Sequence, residues 1–277
     1  MDNLPSLTEV VRDYDLGANK KLGQHFLLDM NLTDKIARLA TPLEGVNVVE
    51  IGPGPGGLTR ALLINEAASV TVIEMDERFL PALADIGRAS GDRLSVIKGD
   101  ALKFDIATNI PEPRKIVANL PYNVGTKMLI NWVTETPLFW DQMVLMFQKE
   151  VAERVCAAPG ENAYGRLAVL CQSVAECHMA FDIPARSFTP PPKVDSAVVV
   201  MHPLTDGASY PDLKLLGQVT QAAFGQRRKM LRVSLKSFAK KHGMTATEWL
   251  EKAEIDPQLR PETLPVSDFQ KLADCLP

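Results

Sequence analysis

The sequence predicts an α/β protein in which a doubly wound, mostly parallel sheet is followed by a small all-helical C-terminal domain. In the first two-thirds of the 277-residue chain, short runs rich in Val and Ile alternate with segments of helical periodicity. Continuous apolar runs are typical of parallel strands that are buried on both faces. From about Pro203 the strand-like runs stop and helical periodicity takes over.

Seven apolar runs bounded by turn residues are the candidate strands: Val46–Ile51, Ser69–Glu74, Leu94–Ile97, Lys115–Ala118, Gln142–Phe147, Met179–Ile183 and Ser196–Met201. Helical segments lie between or after them, at Leu58–Asn65, Arg78–Ile86, Thr126–Thr134, Glu150–Ala157 and Gly165–Ala175. In the C-terminal part helical periodicity covers Leu213–Phe224, Arg227–His242, Ala246–Lys252 and Val266–Asp274. The alternation predicts a seven-stranded sheet with helices packed on it.

Two domains are expected, residues 1–205 with the sheet and residues 206–277 with the helices. The boundary is predicted within Thr205–Pro211, which contains Gly207 and separates the two kinds of periodicity. A chain of this length suffices for one large domain with a smaller one attached.

Composition and charge exclude several classes of protein. The chain is 46% hydrophobic and 23% charged, with a net charge of −4, which is typical of globular rather than disordered or fibrous proteins. No run reaches the roughly 18 apolar residues of a membrane span, and the N-terminus lacks the pattern of a secretory signal. Four cysteines and four histidines are scattered without metal-ligand spacing, which indicates no metal site. We therefore expect a cytoplasmic protein. A monomer without membrane contact is also expected.

The segment Val48–Gly57, VVEIGPGPGG, is a predicted strand that runs into a glycine-rich turn and then a helix. Gly52, Gly54 and Gly57 match the GxGxxG pattern of turns that let a backbone approach a cofactor closely. Glu74, which ends the second predicted strand, fits the acidic residue that binds a ribose in such sites. These features fit any adenosine-containing cofactor, a nicotinamide dinucleotide included.

Polar residues also follow the next two predicted strands. Asp100 follows the third strand in the run LSVIKGD, and Asn119 follows the fourth in the run NLPY. Ligands of open α/β sheets bind at the carboxyl ends of the strands. The glycine turn, Glu74, Asp100 and Asn119 are therefore predicted to converge on one crevice.

The run Asn119–Tyr122 distinguishes between the cofactors, because it resembles the [N/D/S]-[P/I/L]-P-[Y/F] motif of amino-methyltransferases that use S-adenosylmethionine. An exocyclic adenine amine is a poor nucleophile, since its lone pair is delocalised into the ring. Two acceptors, the Asn119 side-chain oxygen and a carbonyl fixed by Pro121, can bind both N–H groups and favour a tetrahedral nitrogen. Tyr122 offers a face to an unstacked base. The leaving group is a neutral thioether, so the chemistry requires neither a metal nor a protonating acid.

Flanking motifs narrow this resemblance to one family. The motifs follow one another in the family's order and at matching spacings: KLGQHFLLD (Lys21–Asp29), NLPYNVGT (119–126), QKEVAER (Gln148–Arg154), PG (159–160), YGRL (164–167) and FTPPPKVDS (Phe188–Ser196). Over about residues 15–240 the chain is similar to the small-subunit (16S) ribosomal RNA adenine N6,N6-dimethyltransferases of the KsgA/RsmA type.

The resemblance implies a seven-stranded Rossmann-like methyltransferase sheet with S-adenosyl-L-methionine as the methyl donor. It implies an enzyme that dimethylates N6 of two adjacent adenines in the 3′-terminal hairpin of 16S rRNA. The partner it implies is 16S rRNA in the immature small ribosomal subunit, together with a role in the maturation of that subunit.

Carried over residue by residue, the resemblance assigns roles within one site. The implied cofactor-binding residues are His25, Leu27, Gly52, Gly54, Glu74, Asp100 and Asn119. Among them Glu74 would bind the ribose diol and Asp100 the adenine amine of the cofactor. The implied catalytic residues are Asn119, Leu120 through its carbonyl, Pro121, Tyr122 and Phe188. Phe188 would stack on the face of the target adenine opposite Tyr122. His25 stands where the family commonly has asparagine.

A local excess of positive charge contrasts with the acidic average. Phe224–Lys241 contains seven Lys or Arg and no Asp or Glu. Helical spacing would align basic residues every four positions on one face, where like charges repel unless phosphates bind there. The sequence therefore predicts a positive stripe of Arg228, Arg232, Lys236 and Lys240 on one helix. RNA binding is predicted for Arg227, Arg228, Arg232 and Lys236, with a solvated basic face as the alternative.

Three other functions remain open. A large-subunit rRNA adenine methyltransferase that confers macrolide resistance is the nearest, and the segment PGENAYGRL favours the small-subunit reading. A non-catalytic ribosome-assembly factor could keep the same fold, but the intact Asn119–Tyr122 run disfavours it. A nicotinamide-dependent oxidoreductase would share the glycine turn, but this function does not explain the presence of the NLPY run.

Overall fold

The structure is a computed structural model that describes residues 1, 3–19, 23–205, 210 and 212–276. Two parts of the sequence predictions lie outside the described residues: positions 206–209 and 211 of the predicted boundary segment, and Lys21 and Leu22 of the KLGQHFLLD motif.

The strands of the described chain are β1 (Phe26–Leu27), β2 (Asn47–Ile51), β3 (Ser69–Glu74), β4 (Leu94–Lys98), β5 (Arg114–Asn119), β6 (Gln142–Gln148), β7 (Ala175–Ile183), β8 (Phe188–Thr189) and β9 (Ser196–Pro203). The α-helices are α1 (Leu7–Asp13), α2 (Met30–Arg38), α3 (Gly57–Ile64), α4 (Leu80–Ala89), α5 (Ile106–Asn109), α6 (Gly125–Val133), α7 (Lys149–Cys156), α8 (Arg166–Gln172), α9 (Leu213–Phe224), α10 (Leu231–Ser234), α11 (Lys236–Lys241), α12 (Ala246–Lys252) and α13 (Val266–Asp274).

The main sheet has seven strands in the order β4-β3-β2-β5-β6-β9-β7. The pairs β2–β3, β3–β4, β2–β5 and β5–β6 are parallel, and β9 is antiparallel to β6. These seven strands correspond to the seven predicted runs, and the predicted α/β class is confirmed. Because β2, β3, β4 and β5 run parallel to one another, their carboxyl ends lie at the same edge of the sheet.

Burial explains why the strands read as continuous apolar runs. In β2 and β6 every residue except one terminal residue is buried. In β4, which lies at the end of the sheet order, no residue is fully buried. Two-sided burial removes the alternation that a half-exposed strand would show.

A second sheet was not predicted. β1 and β8 pair antiparallel, with Phe26 opposite Thr189 and Leu27 opposite Phe188. Each strand has only two residues, which is too short to give a periodic signal. The pairing joins the N-terminal segment to the Pro-rich loop near residue 190.

Residue contacts divide the chain into two compact units. The first comprises residues 1–129, 139–152 and 178–202, and the second comprises 130–138, 153–177 and 203–277. In the second unit, the described residues from 212 onward form helices and turns, as predicted for the C-terminal region. Trp249 is fully buried there, and its Nε1 donates to the carbonyl of Leu272 at 2.8 Å. The predicted domain boundary between residues 205 and 206 stays a prediction.

The prediction of one continuous helix over Arg227–His242 is wrong. Residues 225–229 form turns and a bend, and α10 begins only at Leu231, after Met230 in extended conformation. The backbone N–H of Leu231 donates to the carbonyl of Leu259 at 2.8 Å, and this contact fixes where the helix begins. Helices α10 and α11 are then separated by one residue. Basic periodicity alone could not reveal this contact, since its partner is distant in sequence.

Among the described residues, no helix combines the length and apolar character that crossing a membrane requires.

The turn between β2 and α3 requires glycine. Gly52, Gly54 and Gly56 have φ angles of 64°, 54° and 86°, in the left-handed region that strains any residue with a Cβ. A Cβ on Gly56 would also overlap the Cδ1 atom of Ile86, which is fully buried. The sequence pattern selected Gly57 as the third glycine of the motif, whereas the third left-handed glycine is Gly56.

We expect Gly56→Ala to destabilise the protein more than Gly45→Ala. Gly45 has a similar φ of 75° but open space around its Cβ position, so both variants share the conformational strain and only Gly56→Ala adds the overlap with Ile86. Overpacking a core costs about 1–3 kcal/mol, and urea unfolding should show a difference of that size. Equal free energies of unfolding would mean that the Ile86 side chain moves aside without cost.

Candidate functional site

A cavity of about 310 Å³ lies at the carboxyl ends of the parallel strands in the first unit. It is lined by residues that follow β2, β3, β4 and β5 and by the N-terminal segment before α2. Its size is at the lower end of the range for small-molecule sites, about 300–1,000 Å³. Ten of the eleven residues that the resemblance assigned line this cavity: His25, Leu27, Gly52, Gly54, Glu74, Asp100, Asn119, Leu120, Pro121 and Tyr122.

Glu74 is the most buried acidic residue among those assigned, with 6% of its surface exposed. Its Oε2 accepts the backbone N–H of Gly54 at 3.2 Å, and its Oε1 accepts that of Asp76 at 2.8 Å. Burial raises the pKa of Glu74, while these two hydrogen bonds act in the opposite direction. The carboxylate is held rigidly against the glycine turn, and each of its oxygens retains capacity for a further donor.

Asp100 lies beyond the end of β4 and is half-buried. Its Oδ1 accepts the backbone N–H of Leu102 at 3.0 Å, which fixes the side chain in a local turn. Leu102 lines the same cavity. This part of the wall combines one carboxylate with an apolar side chain, a combination suited to an aromatic ring that carries an amine.

Asn119 ends β5, and its orientation is set by the N-terminal segment. Its Nδ2 donates to the carbonyl of His25 at 3.4 Å, so the amide oxygen remains as the acceptor. The next proline, Pro121, accepts the N–H groups of Val124 and Gly125 at 3.1 and 2.9 Å. That carbonyl begins the turn into α6 and is occupied there, and the role implied for the Leu120 carbonyl stays a prediction.

Tyr122 is fixed from two sides. Its hydroxyl and the Oγ of Ser196 are 2.6 Å apart, and its ring stacks on the His25 ring at a centroid distance of 5.7 Å. Burial raises the pKa of Tyr122, so the phenol stays neutral at physiological pH. His25 is itself fixed by a 2.7 Å contact between Nδ1 and the carbonyl of Pro190. The two rings therefore form a rigid pair on one wall.

Phe188 is not among the described residues that line the cavity. It is 3% exposed and belongs to the hydrophobic core of the first unit. In β8 its backbone lies opposite Leu27, which does line the cavity. Stacking of Phe188 on a target base stays a prediction. In this structure Phe188 is connected to the cavity through its strand partner Leu27.

Glu50 lines the cavity and was missed by the sequence analysis. It lies within β2, is 2% exposed, and accepts a hydrogen bond from Thr59 Oγ1 at 2.6 Å. Burial raises its pKa to about 8, so the carboxyl is mainly protonated at neutral pH. In the sequence it is one letter within an apolar run that leads to the glycine turn, and no spacing rule marks it as buried.

The predicted basic residues lie in the second unit. Arg228, Arg232 and Lys236 are exposed, while Arg227 is half-buried and its Nη2 donates to the carbonyl of Glu161 at 3.2 Å. Arg227 and Arg228 lie in the turn before α10, so these residues do not form a stripe on a single helix. Whether they bind RNA stays a prediction.

Comparison with known proteins agrees with this geometry. The sequence matches the family described as "Ribosomal RNA adenine dimethylase" over residues 16–276. It is 52% identical over 275 residues to the ribosomal RNA small subunit methyltransferase A of Maricaulis maris, covering 99% of this chain and 95% of that protein. It is 54% identical to the protein of the same name from Agrobacterium fabrum, covering 100% and 99%.

Solved structures give the same result. A dimethyladenosine transferase from Plasmodium falciparum superposes with a TM-score of 0.76 at 27% identity, covering 90% of this chain and 96% of that one. The 23S rRNA methyltransferase ErmE superposes with a TM-score of 0.67 at 25% identity, covering 91% and 99%. The resemblance inferred from the motifs is thus confirmed along nearly the whole sequence: the chain belongs to the ribosomal RNA adenine dimethylase family.

Proposed function

We propose that this chain is an rRNA (adenine-N6,N6)-dimethyltransferase that acts on two adjacent adenines in the 3′-terminal hairpin of 16S rRNA. The observation that carries this proposal is the convergence of Glu74, Asp100 and the Asn119–Tyr122 run on one cavity in a member of this family. Relatives that share about half of its residues are named as small-subunit methyltransferases. The substrate is accordingly 16S rRNA in the immature small subunit, and the reaction contributes to the maturation of that subunit.

The residues of the cavity fit S-adenosyl-L-methionine. Glu74 places a carboxylate where the diol of a ribose could donate to it, and Asp100 offers an acceptor for an adenine amine. A Cβ on Gly52 would face Pro121, and a Cβ on Gly54 would approach the Phe26 ring to 3.4 Å. Residues larger than glycine at these two positions would therefore crowd the cavity wall. Bound in the cavity, the cofactor supplies a methyl group on a positively charged sulfur whose leaving group is a neutral thioether.

The residues of the Asn119–Tyr122 run hold the target adenine. The Asn119 Oδ1 and the Leu120 carbonyl accept the two N–H groups of the exocyclic amine, which localises the nitrogen lone pair. The Tyr122 ring, held by Ser196 and His25, receives the flat face of the base. Catalysis then depends on holding the amine in line with the transferable methyl group rather than on acid or base chemistry.

The second unit supplies the contact with the RNA backbone through Arg227, Arg228, Arg232 and Lys236. In this proposal residues 1–205 carry the chemistry and residues 206–277 carry part of the RNA affinity. Three exposed cations and one partly buried cation on neighbouring short elements present positive charge without helical alignment. Such a surface can follow a phosphate chain as well as a straight stripe can.

The superposition on the 23S rRNA methyltransferase ErmE supports one rival, which is methylation of an adenine in large-subunit rRNA. Small and large subunits that lack these modifications, incubated with the protein and S-adenosylmethionine, distinguish the two functions. Nuclease digestion and mass spectrometry should locate N6,N6-dimethyladenosine in the 16S hairpin. Modification of 23S rRNA alone would support the rival, and no modification of either subunit would favour a non-catalytic assembly factor.

Glu74→Gln is expected to weaken binding of S-adenosylmethionine. The change keeps the size of the side chain but removes the charge, and a hydrogen bond to a charged group contributes about 1.5–3 kcal/mol. Calorimetry should show a dissociation constant raised by roughly 10–100-fold, with RNA affinity unchanged. Glu77→Gln is the matched control, since Glu77 is an exposed neighbour paired with Lys98. Unchanged cofactor affinity in Glu74→Gln would contradict the ribose role.

Asn119→Ala should lose methyl transfer while keeping the fold and most cofactor and RNA binding. The lost acceptor acts mainly in the transition state, where removal of one oriented group costs about 10²–10³ in rate. Asn131→Ala, an exposed position on α6, is the control and should retain the wild-type rate. Single-turnover methylation by Asn119→Ala within about tenfold of wild type would indicate that Asn119 is structural.

The triple variant Arg228→Gln, Arg232→Gln, Lys236→Gln should bind 16S rRNA less tightly at low salt. If each residue contacts a phosphate, the slope of log affinity against log salt should flatten by roughly two to three units. A control with the same change in charge replaces Lys214, Lys252 and Lys271 by Gln. Equal slopes for the two triple variants would indicate that Arg228, Arg232 and Lys236 lie on a solvated surface and do not contact RNA.

A further inference from the structure

We infer that Asp76 and Arg78 are positioning residues for the cofactor, because together with Gln24 they fasten the N-terminal segment to the loop after β3. They thereby hold residues 23–25 against the cavity. The inference rests on the proposed function, since the ligand it concerns is S-adenosylmethionine. Neither Asp76 nor Arg78 belongs to the set of residues assigned above.

Asp76 is the centre of this contact. Arg78 donates from Nε to Asp76 Oδ1 at 2.9 Å and from Nη2 to Oδ2 at 2.6 Å, a bidentate geometry. Gln24 Nε2 donates to the same Oδ2 at 3.0 Å. The Asp76 side chain is only 9% exposed, and its Arg78 and Gln24 partners lower its pKa to about 2. The carboxylate therefore stays charged, and it depends on these donors.

The N-terminal segment is held on both sides of positions 20–22, which lie beyond the described residues. Arg78 Nη1 donates to the carbonyl of Gly17 at 3.0 Å, before that gap. Gln24 Oε1, after the gap, accepts the backbone N–H of Asn19 at 2.8 Å and Arg78 Nη2 at 3.4 Å. One guanidinium and one amide thus connect two stretches of the segment to the loop after β3.

The same network reaches both ends of the cavity. The backbone N–H of Asp76 donates to Glu74 Oε1 at 2.8 Å, so the anchoring loop also fixes the proposed ribose ligand. Gln24 lines the cavity. The next residue, His25, accepts Asn119 Nδ2 through its carbonyl at 3.4 Å and stacks on Tyr122. Two adjacent residues of the cavity wall, Gln24 and His25, are thus hydrogen-bonded to Asp76 and to Asn119.

Arg78 has a positioning role in addition to its contribution to stability. Its side chain is 44% exposed, but its partner Asp76 is only 9% exposed, so removing Arg78 leaves a largely buried carboxylate short of donors and costs stability. A loss of stability alone does not change the cofactor affinity of the folded protein. The positioning role should therefore appear as weaker cofactor binding, measured at a temperature below the unfolding transition.

The test compares Arg78→Leu with Arg88→Leu in the full-length protein. Arg88 is also exposed and paired with an acidic residue, Asp85, but it lies on α4 outside the network. We expect Arg78→Leu to raise the KM and the dissociation constant for S-adenosylmethionine roughly tenfold, the effect of losing one charged hydrogen bond. The kcat at saturating cofactor and the KM for 16S rRNA, measured below the unfolding transition, should stay near wild type, whereas the Tm should fall because Asp76 loses its bidentate partner. Arg88→Leu should match wild type in all of them.

A second variant keeps the inference testable if Arg78→Leu folds poorly. Gln24→Leu should raise the KM for the cofactor in the same way, and the double variant should be little worse than either single variant, since both remove one network. Unchanged cofactor affinity in both single variants, or additive effects in the double variant, would overturn the inference. If wild-type protein itself fails to bind S-adenosylmethionine, the proposed function fails instead.

Discussion

The buried carboxyl group of Glu74 constrains the geometry of the two loops that follow β2 and β3 at the cavity. Removing a carboxylate from water is costly unless donors compensate it, and here the donors are two backbone N–H groups, those of Gly54 and Asp76. The first is available because Gly54 adopts a left-handed conformation in the turn after β2. The second belongs to the loop after β3. The two hydrogen bonds that oppose the effect of burial on the pKa of Glu74 therefore depend on both loops keeping their shape.

A second carboxyl group in the same cavity has a different set of donors. Glu50 is more deeply buried than Glu74 and has one hydroxyl donor, Thr59. Burial and the neighbouring Glu74 both raise the pKa of Glu50, to about 8, so its carboxyl is mainly protonated at neutral pH. Burial raises the pKa of Glu74 as well, but there two backbone N–H groups act in the opposite direction.

The parts of the fold that sequence could predict are those with a local signal. Each of the seven strands of the sheet contains the largely apolar run from which it was predicted, and α9, α12 and α13 begin and end where the periodicity does. The site residues could be predicted because turn glycines and polar residues at strand ends have defined spacings, as Gly52 and Glu74 do. The β1–β8 pair, the interruption before Leu231 and the network of Asp76 all depend on partners distant in sequence. No periodicity encodes such contacts.

The N-terminal segment is where these distant contacts meet, and this bears on catalysis. Residues 23–27 are bonded to Asp76 through Gln24, to Asn119 through His25, and to β8 through Phe26 and Leu27. In the proposed function, this piece of chain covers the cofactor and also orients Asn119, the acceptor of the target amine. Methyl transfer depends on aligning the methyl group with the amine, so contact of one segment with both binding sites would keep the two aligned. The buried Phe188 of β8 lies opposite Leu27, so the strand pair links this segment to the hydrophobic core.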